Sequence, residues 1–270
     1  MKLLYAMTIS LVLAFNAGSI LAQDFQKGFA AYNAGDYPTA LKEWRPLAEQ
    51  GLAEAQNNLG FLYEKGLGVD KNYRKAIFWF RQAAEKGFAG GQYNYGRMLY
   101  KEGVFQNVAS SARWYRQAAE QGVAMAQYNL SFYYLRGIGL DQNDAKALKW
   151  LRLAANQGVA LAQIDLGTMI YRGQGVPQNY AEALAWYRLA AEQGYEYAHF
   201  NLANMYRYGE GVLQDNIMAH MLYNIASFNG TEKAGKLRDE TAAEMTSTDI
   251  SEAQELAREC MSSNYQNCGW

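Results

Sequence analysis

Hydrophobic and small residues recur along this chain with a period of about 36 residues, which is longer than any single helix or strand. A glycine closes each copy of the pattern, and successive closing glycines are 36, 35, 36, 36 and 36 residues apart. They are Gly51, Gly87, Gly122, Gly158, Gly194 and Gly230. Such a fixed period indicates a stack of similar units that bury one extended core between neighbours.

Each copy predicts two helices joined by a loop. The first helix opens on an A-x-A-Q-like phrase and carries a small residue where a partner helix can approach closely. The small residues are Gly60, Gly96, Ser131, Gly167 and Ala203. The loop then reads "GLGV", "GIGL", "GQGV" or "GEGV", with a shorter version around Gly103. Glycine supplies backbone angles there that other residues avoid.

The second helix of each copy is predicted to begin at a capping side chain. The caps are Asn72, Asn107, Asn143, Asn179 and Asp215. Seven residues later come Trp79, Trp114, Trp150, Trp186 and, in the last copy, Leu222. An Ala-Ala pair, or Ala-Ser in the last copy, follows, so large and small residues are expected to alternate on the inner face. The closing glycine suits a left-handed C-cap.

The segments outside the repeats predict a leader and two terminal modules. Residues 1–22 combine an early Lys2, an apolar run and small residues, which predicts a signal peptide cleaved after Ala22. An uncleaved membrane anchor is the alternative, although the run is short for one. Residues 23–51 predict a helical hairpin. The copies then span 52–87, 88–122, 123–158, 159–194 and 195–230. Residues 231–270 predict a helical cap, with a break at 247–249.

Charge and cysteine content limit the partners and the compartment. The chain has 25 Lys and Arg against 26 Asp and Glu, and removal of Lys2 with the leader leaves 24 against 26. A near-neutral chain is poorly suited to nucleic acid, and the mature chain is expected to have no integral membrane segment. Cys260 and Cys268 lie close together near the C-terminus, which in an exported protein predicts a disulfide.

The inventory of reactive side chains predicts no enzyme, no cofactor and no metal. His199 occupies the position that Gln holds in the other copies, so a hydrogen bond between repeats is expected of it. His220 is expected at a solvated edge. No Ser-x-x-Lys occurs in the sequence, and the Gly-x-Gly loops lack the strand and the Lys of a phosphate-binding loop.

Together, the phrase A-x-A-Q-x-x-L-G-x-x-Y-x-x-G-x-G-V, the Trp and the Ala-Ala pair resemble Sel1-like repeats, the longer-looped relatives of tetratricopeptide repeats. The resemblance covers residues 51–230. It implies an all-α, right-handed α-solenoid of antiparallel helix pairs. It also implies a non-catalytic protein- or peptide-binding scaffold or adaptor of the bacterial cell envelope, periplasmic or secreted. Some Sel1-like proteins linked to β-lactam binding carry a cysteine pair in each repeat, which this chain lacks.

In tetratricopeptide-like solenoids the first helix of each pair lines the concave side, and this geometry predicts a binding surface here. The predicted surface comprises Asn57, Phe61, Lys65, Tyr93, Arg97, Tyr100, Lys101, Tyr128, Phe132, Arg136, Tyr171, Arg172, Phe200, Arg207 and Tyr208. Glu64 falls on the same face. Rings beside cationic groups are typical of binding hot spots, and the cations favour an acidic or C-terminal-carboxylate peptide. Core packing between helices is the alternative for any one ring.

Two other functions stay open at this stage. A regulator that binds cell-wall peptidoglycan or another glycan would stack its aromatic rings on sugars and pair its arginines with stem-peptide carboxylates. A β-lactam or cell-wall hydrolase is disfavoured by the residue inventory. No pattern in the chain predicts one particular partner or an oligomeric state.

Overall fold

A computed structural model describes residues 22–100 and 107–270. The predicted leader up to residue 21, Lys101 and the short loop around Gly103 lie outside the described residues. Within the described residues the regular secondary structure is helical, without strands. None of the helices in these ranges combines the length and the apolar composition needed to cross a membrane.

The helices follow the predicted pairs. They are α1 (22–33), α2 (Tyr37–Glu49), α3 (Ala53–Lys65), α4 (Tyr73–Glu85), α5 (Ala89–Tyr100), α6 (Val108–Glu120), α7 (Ala124–Arg136), α8 (Asp144–Asn156), α9 (Ala160–Arg172), α10 (Tyr180–Ala191), α11 (Glu196–Tyr208), α12 (Asn216–Phe228), α13 (Glu232–Ala242) and α14 (Ser247–Ser262). We call the first helix of each copy (α3, α5, α7, α9, α11) helix A and the second (α4, α6, α8, α10, α12) helix B.

The chain forms two compact units. Among the described residues, the first unit contains those up to Ala126 together with Ile138–Leu140, and the second contains Gln127–Gly137 and Asp141–Trp270. In the first unit α3 packs against α4 and α5 against α6, and α4 packs against α5. In the second unit α9 packs against α10 and α11 against α12, while α8 packs against α9 and α10 against α11. Each unit is therefore an α-solenoid of stacked antiparallel helix pairs.

The predicted caps of helix B are confirmed. Asn72 accepts a hydrogen bond from the backbone N–H of Lys75, and the three later asparagines make the same bond three residues on. Asp215 accepts from Ile217 and Met218. These bonds satisfy N–H groups that a helix cannot satisfy internally. The six closing glycines all have positive φ, as a left-handed C-cap requires.

The core aromatic position is one residue later than predicted. A Cβ on Gly167 would lie 2.8 Å from the Tyr187 ring, and one on Gly60 would lie 2.8 Å from Phe80. The buried residues at this position are Phe80, Tyr115, Leu151, Tyr187 and Tyr223. The preceding tryptophans are only partly buried, because a step of one residue turns the side chain by about 100° on a helix. The expectation that tryptophan occupies the inner face is therefore wrong.

The second glycine of each loop also brings neighbouring copies together. A Cβ on Gly68 would lie 2.6 Å from the backbone of Tyr37, where α2 begins, and one on Gly211 would lie 2.7 Å from the backbone of Tyr180 at the start of α10. The loop glycines thus permit close contact with the second helix of the preceding pair, in addition to the positive φ that the turn needs.

The C-terminal cap is formed by α13 and α14, which both pack on α12. The break between them falls at residues 243–246, one turn before the predicted position, because Thr246 and Asp249 form a capping box that starts α14 at Ser247. His220 is only 3% exposed, so its predicted place at a solvated edge is wrong. Burial lowers the pKa of His220.

Cys260 and Cys268 are joined by a disulfide, and both are buried. The loop that they close folds back on the last two copies. The Asn229 amide donates to the Tyr265 hydroxyl over 3.0 Å, and Gln266 donates to the carbonyl of Glu192, at the end of α10, over 3.1 Å. The disulfide therefore secures contacts between the tail and the last two helices B.

Reduction of this disulfide is expected to destabilise the second unit by about 2.5 kcal/mol, since a short loop is then free in the unfolded chain. The measurement is the urea midpoint with and without reductant. The double substitution C260S/C268S supplies the control, because reductant should leave its midpoint unchanged. An oxidised and a reduced wild-type chain with equal midpoints would show that the bond does not stabilise the fold.

Candidate functional site

In the first unit, part of the predicted surface forms an aromatic pocket. Asn57 and Phe61 line it. The pocket has a volume of about 210 Å³, and its other lining residues are Phe29, Tyr32, Trp44 and Asn58. Lys65 is exposed, with its ammonium 5.6 Å from the centre of the Phe61 ring. We call this the Phe61 pocket.

Next to it, the predicted cation Arg97 is already paired. Its guanidinium donates to both carboxylate oxygens of Glu64 over 2.7 and 2.5 Å. Glu64 is only 3% exposed, so this ion pair joins two helices A instead of leaving charge for a ligand. Tyr93 packs its ring 5.9 Å from that of Tyr115, and Tyr100 is exposed.

In the second unit, three residues of the predicted surface come together in a second pocket: Tyr171, Arg172 and Phe200. Its volume is about 280 Å³, and it is also lined by Thr168, Tyr187, Asn201 and Asn204. The residues come from α9, α10 and α11, so two successive helices A form the walls with one buried helix B ring. We call this the Tyr171 pocket.

The tyrosine hydroxyls around the Tyr171 pocket are bound within the protein. Tyr171 donates to Glu210 over 2.7 Å, and Tyr223 donates to the side-chain oxygen of Asn204 over 2.6 Å. The Tyr187 hydroxyl lies 3.1 Å from that of Thr168. Burial raises the pKa of Tyr187 to about 12 and raises the pKa of Tyr171 as well, so both hydroxyls are neutral near pH 7.

Of the remaining predicted residues of the second unit, some are bonded within the protein and others are exposed to contact a ligand. Tyr128 donates to Asp165 over 3.1 Å, and burial raises the pKa of this carboxyl. Arg207 is ion-paired with Glu244 in the C-terminal cap. In contrast, Phe132 and Arg136 are exposed, with the guanidinium 5.9 Å from the ring centre, and Tyr208 is 64% exposed.

The predicted basic edge is therefore much reduced. Arg97 and Arg207 are neutralised by carboxylates, and Lys101 lies outside the described residues. Lys65, Arg136 and Arg172 are the predicted cations that have no carboxylate within 4 Å among the described residues, and of these three Arg172 lines a pocket. Sequence patterns could not reveal this difference, because the compensating carboxylates Glu64 and Glu244 stand at unrelated positions.

Sequence reasoning missed two asparagines that line the pockets, and it missed a third pocket altogether. The asparagines are Asn58 and Asn201, which stand directly before the Leu of helix A, at a position that is Asn or Asp in all five copies. This recurrence was a usable signal. A third pocket of about 330 Å³ lies between α4 and α5 and is lined mainly by apolar residues. Its lining is Ile77, Phe78, Arg81, Tyr95 and Leu99.

The glutamines of helix A form polar links between copies. Gln56 donates to the carbonyl of Ala48 over 3.0 Å, and Gln163 donates to the carbonyl of Ala155 over 3.2 Å, so each bonds to the preceding helix pair. His199 differs from this expectation, because its Nδ1 lies 3.0 Å from the carbonyl of Tyr195 in its own copy. Its ring is buried against those of Tyr265 and Trp270.

Burial lowers the pKa of His199 to about 4, and its Nε2 has no hydrogen-bond partner in the described structure. Three or more metal-ligating side chains do not cluster anywhere in the two described ranges. The Phe61 and Tyr171 pockets offer rings, amides and one cation, which are groups for non-covalent recognition.

The stacked helix pairs, with pockets along their helices A, define the class of the chain as an α-solenoid repeat protein. A family model described as Sel1 repeat matches residues 53–88, 89–123, 124–159, 160–195 and 196–227, so the chain belongs to the Sel1 repeat family. Proteins of this fold generally serve as scaffolds for protein interactions and are typically non-catalytic.

Solved structures and a curated relative agree with this assignment. The chain is similar to c5321, a protective antigen of uropathogenic Escherichia coli, with 33% identity, a TM-score of 0.82 and coverage of 91% of this chain. A Sel1 repeat protein from Oxalobacter formigenes is 35% identical, with a TM-score of 0.73 and coverage of 80% of this chain and 86% of that one. A sel1-like protein, L21, of Acanthamoeba polyphaga mimivirus is 33% identical over 24% of this chain. The chain spans 55% of c5321 and 13% of L21.

Proposed function

We propose that this protein is an exported, non-catalytic scaffold that binds a protein partner through the helix A surface of its repeats. The observation that supports this most strongly is that each unit has a pocket whose lining includes residues at the same helix A positions. Asn57, Asn58 and Phe61 of the first pocket stand at the same positions as Phe200, Asn201 and Asn204 of the second. Aromatic rings and side-chain amides on rigid helices are suited to hold a peptide segment.

Export to the cell envelope or beyond is part of the proposal. It is supported by the apolar N-terminal sequence with its small-residue ending and by the disulfide-bonded tail, since disulfides persist in oxidising compartments. The similarity to c5321, which is a protective antigen, also favours a place outside the cytoplasm.

Site-specific photo-crosslinking tests the binding surface. A benzophenone amino acid placed at Phe61 or at Phe200 is expected to label a discrete protein in envelope extract. The same group at Leu189 or Phe228, two exposed residues of helices B, is the matched control and should label that protein at least fivefold less. Equal labelling from both faces would contradict a helix A binding surface. Labelling of purified sacculi instead of a protein would favour the cell-wall alternative.

A further inference from the structure

The hydrogen bonds around the Tyr171 pocket leave mainly donors open to a ligand. Thr168 uses its single O–H on the carbonyl of Ile164 at 2.9 Å, so the Tyr187 hydroxyl must donate to Thr168. Tyr223 likewise donates to the oxygen of Asn204, which leaves the NH₂ group of that amide unused. The hydroxyl protons of Tyr187 and Tyr223 are therefore used in hydrogen bonds within the protein and are not available to a ligand.

Two further lining side chains add donors. Asn201 makes no side-chain hydrogen bond within the described chain, and Arg172 has no carboxylate within 4 Å there. Arg172, Asn201 and Asn204, which carry a guanidinium and two amide NH₂ groups, therefore line one cavity of about 280 Å³. A carboxylate is the group that such a donor set binds best, because it is acceptor-only and negatively charged.

The local field is consistent with an anion. At the Tyr187 hydroxyl, the effect of Arg172, which lowers the pKa, exceeds the opposing effect of Asp165. Glu210 is another nearby carboxylate, and it accepts a hydrogen bond from the Tyr171 hydroxyl. The rings of Phe200 and Tyr187 supply an apolar wall beside the donors.

We propose that the Tyr171 pocket binds the C-terminal carboxylate of a partner protein whose last residue is apolar. A terminal residue carries its carboxylate and its side chain on one carbon, so it can meet the donors and the rings of a single small pocket together. Arg172 pairs with the carboxylate, the amides of Asn201 and Asn204 complete its hydrogen bonds, and the side chain packs on Phe200. This inference rests on the proposed function and assigns one chemical group to one of its two pockets.

The test uses two small probes that differ only in charge. N-acetylphenylalanine and N-acetylphenylalaninamide are titrated into the ¹⁵N-labelled full chain, and the side-chain amide signals of Asn201 and Asn204 are followed. The acid is expected to bind with a Kd of about 1 mM, in keeping with its size, and to shift both signals. The amide should bind at least about tenfold more weakly, since it loses the charge-assisted bonds.

Two matched variants decide whether Arg172 is responsible. R172Q should weaken the acid about tenfold and leave the amide unchanged, whereas R136Q, which removes an unpaired arginine that does not line the pocket, should change neither. Equal binding of acid and amide, equal effects of the two variants, a glutamic acid α-amide that binds as tightly, or no shift at Asn201 and Asn204 would each overturn the inference. Labelling from Phe61 and Phe200 would still test the scaffold function independently.

Discussion

Replacement of Gly167 by leucine is expected to destabilise the second unit by about 3 kcal/mol, because the new side chain has no space. Even a Cβ at this position would lie 2.8 Å from the Tyr187 ring and 3.3 Å from the carbonyl of Ala183. A leucine must therefore displace Tyr187, which is buried and hydrogen-bonded to Thr168 on the wall of the Tyr171 pocket. The urea midpoint, followed by circular dichroism, should fall, and the pocket should lose affinity for N-acetylphenylalanine.

The alanine variant G167A separates size from backbone effects. Ala203 occupies the same position in the last copy and is fully buried beside a fully buried Tyr223, so one methyl group can be accommodated there. Alanine also gains about 1 kcal/mol in helix propensity over glycine, which offsets a small shift of the ring. G167A is thus expected to change the midpoint little. A leucine variant as stable as the wild type would mean that Tyr187 does not require close contact with this glycine.

The fold could be predicted from the sequence because each structural element repeats. Asn72 and its equivalents mark where helix B starts, and the closing glycines mark where it ends, so five copies support the same boundary. The error over Trp79 has a physical origin, since Trp79 and Phe80 are adjacent large residues and the sequence does not say which of them turns inwards. The close contact of Gly60 with Phe80 decides it.

The site could be predicted only in part, for a related reason. Residues that vary between copies were expected to carry specificity, yet the variable Glu64 and Arg97 pair with each other and stabilise adjacent copies. Conversely, Asn201 recurs in every copy as Asn or Asp and still lines a pocket. A residue that differs between copies is not required by the core that all copies share. This difference alone does not show whether the residue contacts another copy or a partner.

The helical cap and its disulfide were predicted, but the packing of the tail on the repeats was not, because no repeat describes it. The Gln that bonds to the preceding helix pair, as Gln56 and Gln163 do, is replaced by His199 in the last copy. There the Tyr265 ring lies 5.1 Å from the imidazole and its hydroxyl bonds to Asn229, so the tail covers the last repeat. A Cβ on Gly194 would lie 2.7 Å from the same Tyr265 ring, which shows how closely the tail packs.

The second unit is expected to lose about 3 kcal/mol of stability as the pH falls from about 6.5 to 4, because His199 is buried as the neutral imidazole. Burial lowers its folded pKa to about 4 from an unfolded value of 6.5. Between these values the unfolded chain binds the proton and the folded chain does not, so acid favours unfolding. The stability is complete above about pH 6.5. His220, whose pKa is also lowered, acts in the same direction.

The matched variant H199Q restores the side chain of the other copies and should flatten most of this pH dependence, leaving the smaller contribution of His220. Urea midpoints measured for both proteins from pH 4 to 7.5 make the comparison, and parallel curves would mean that the imidazole takes up its proton without leaving the tail.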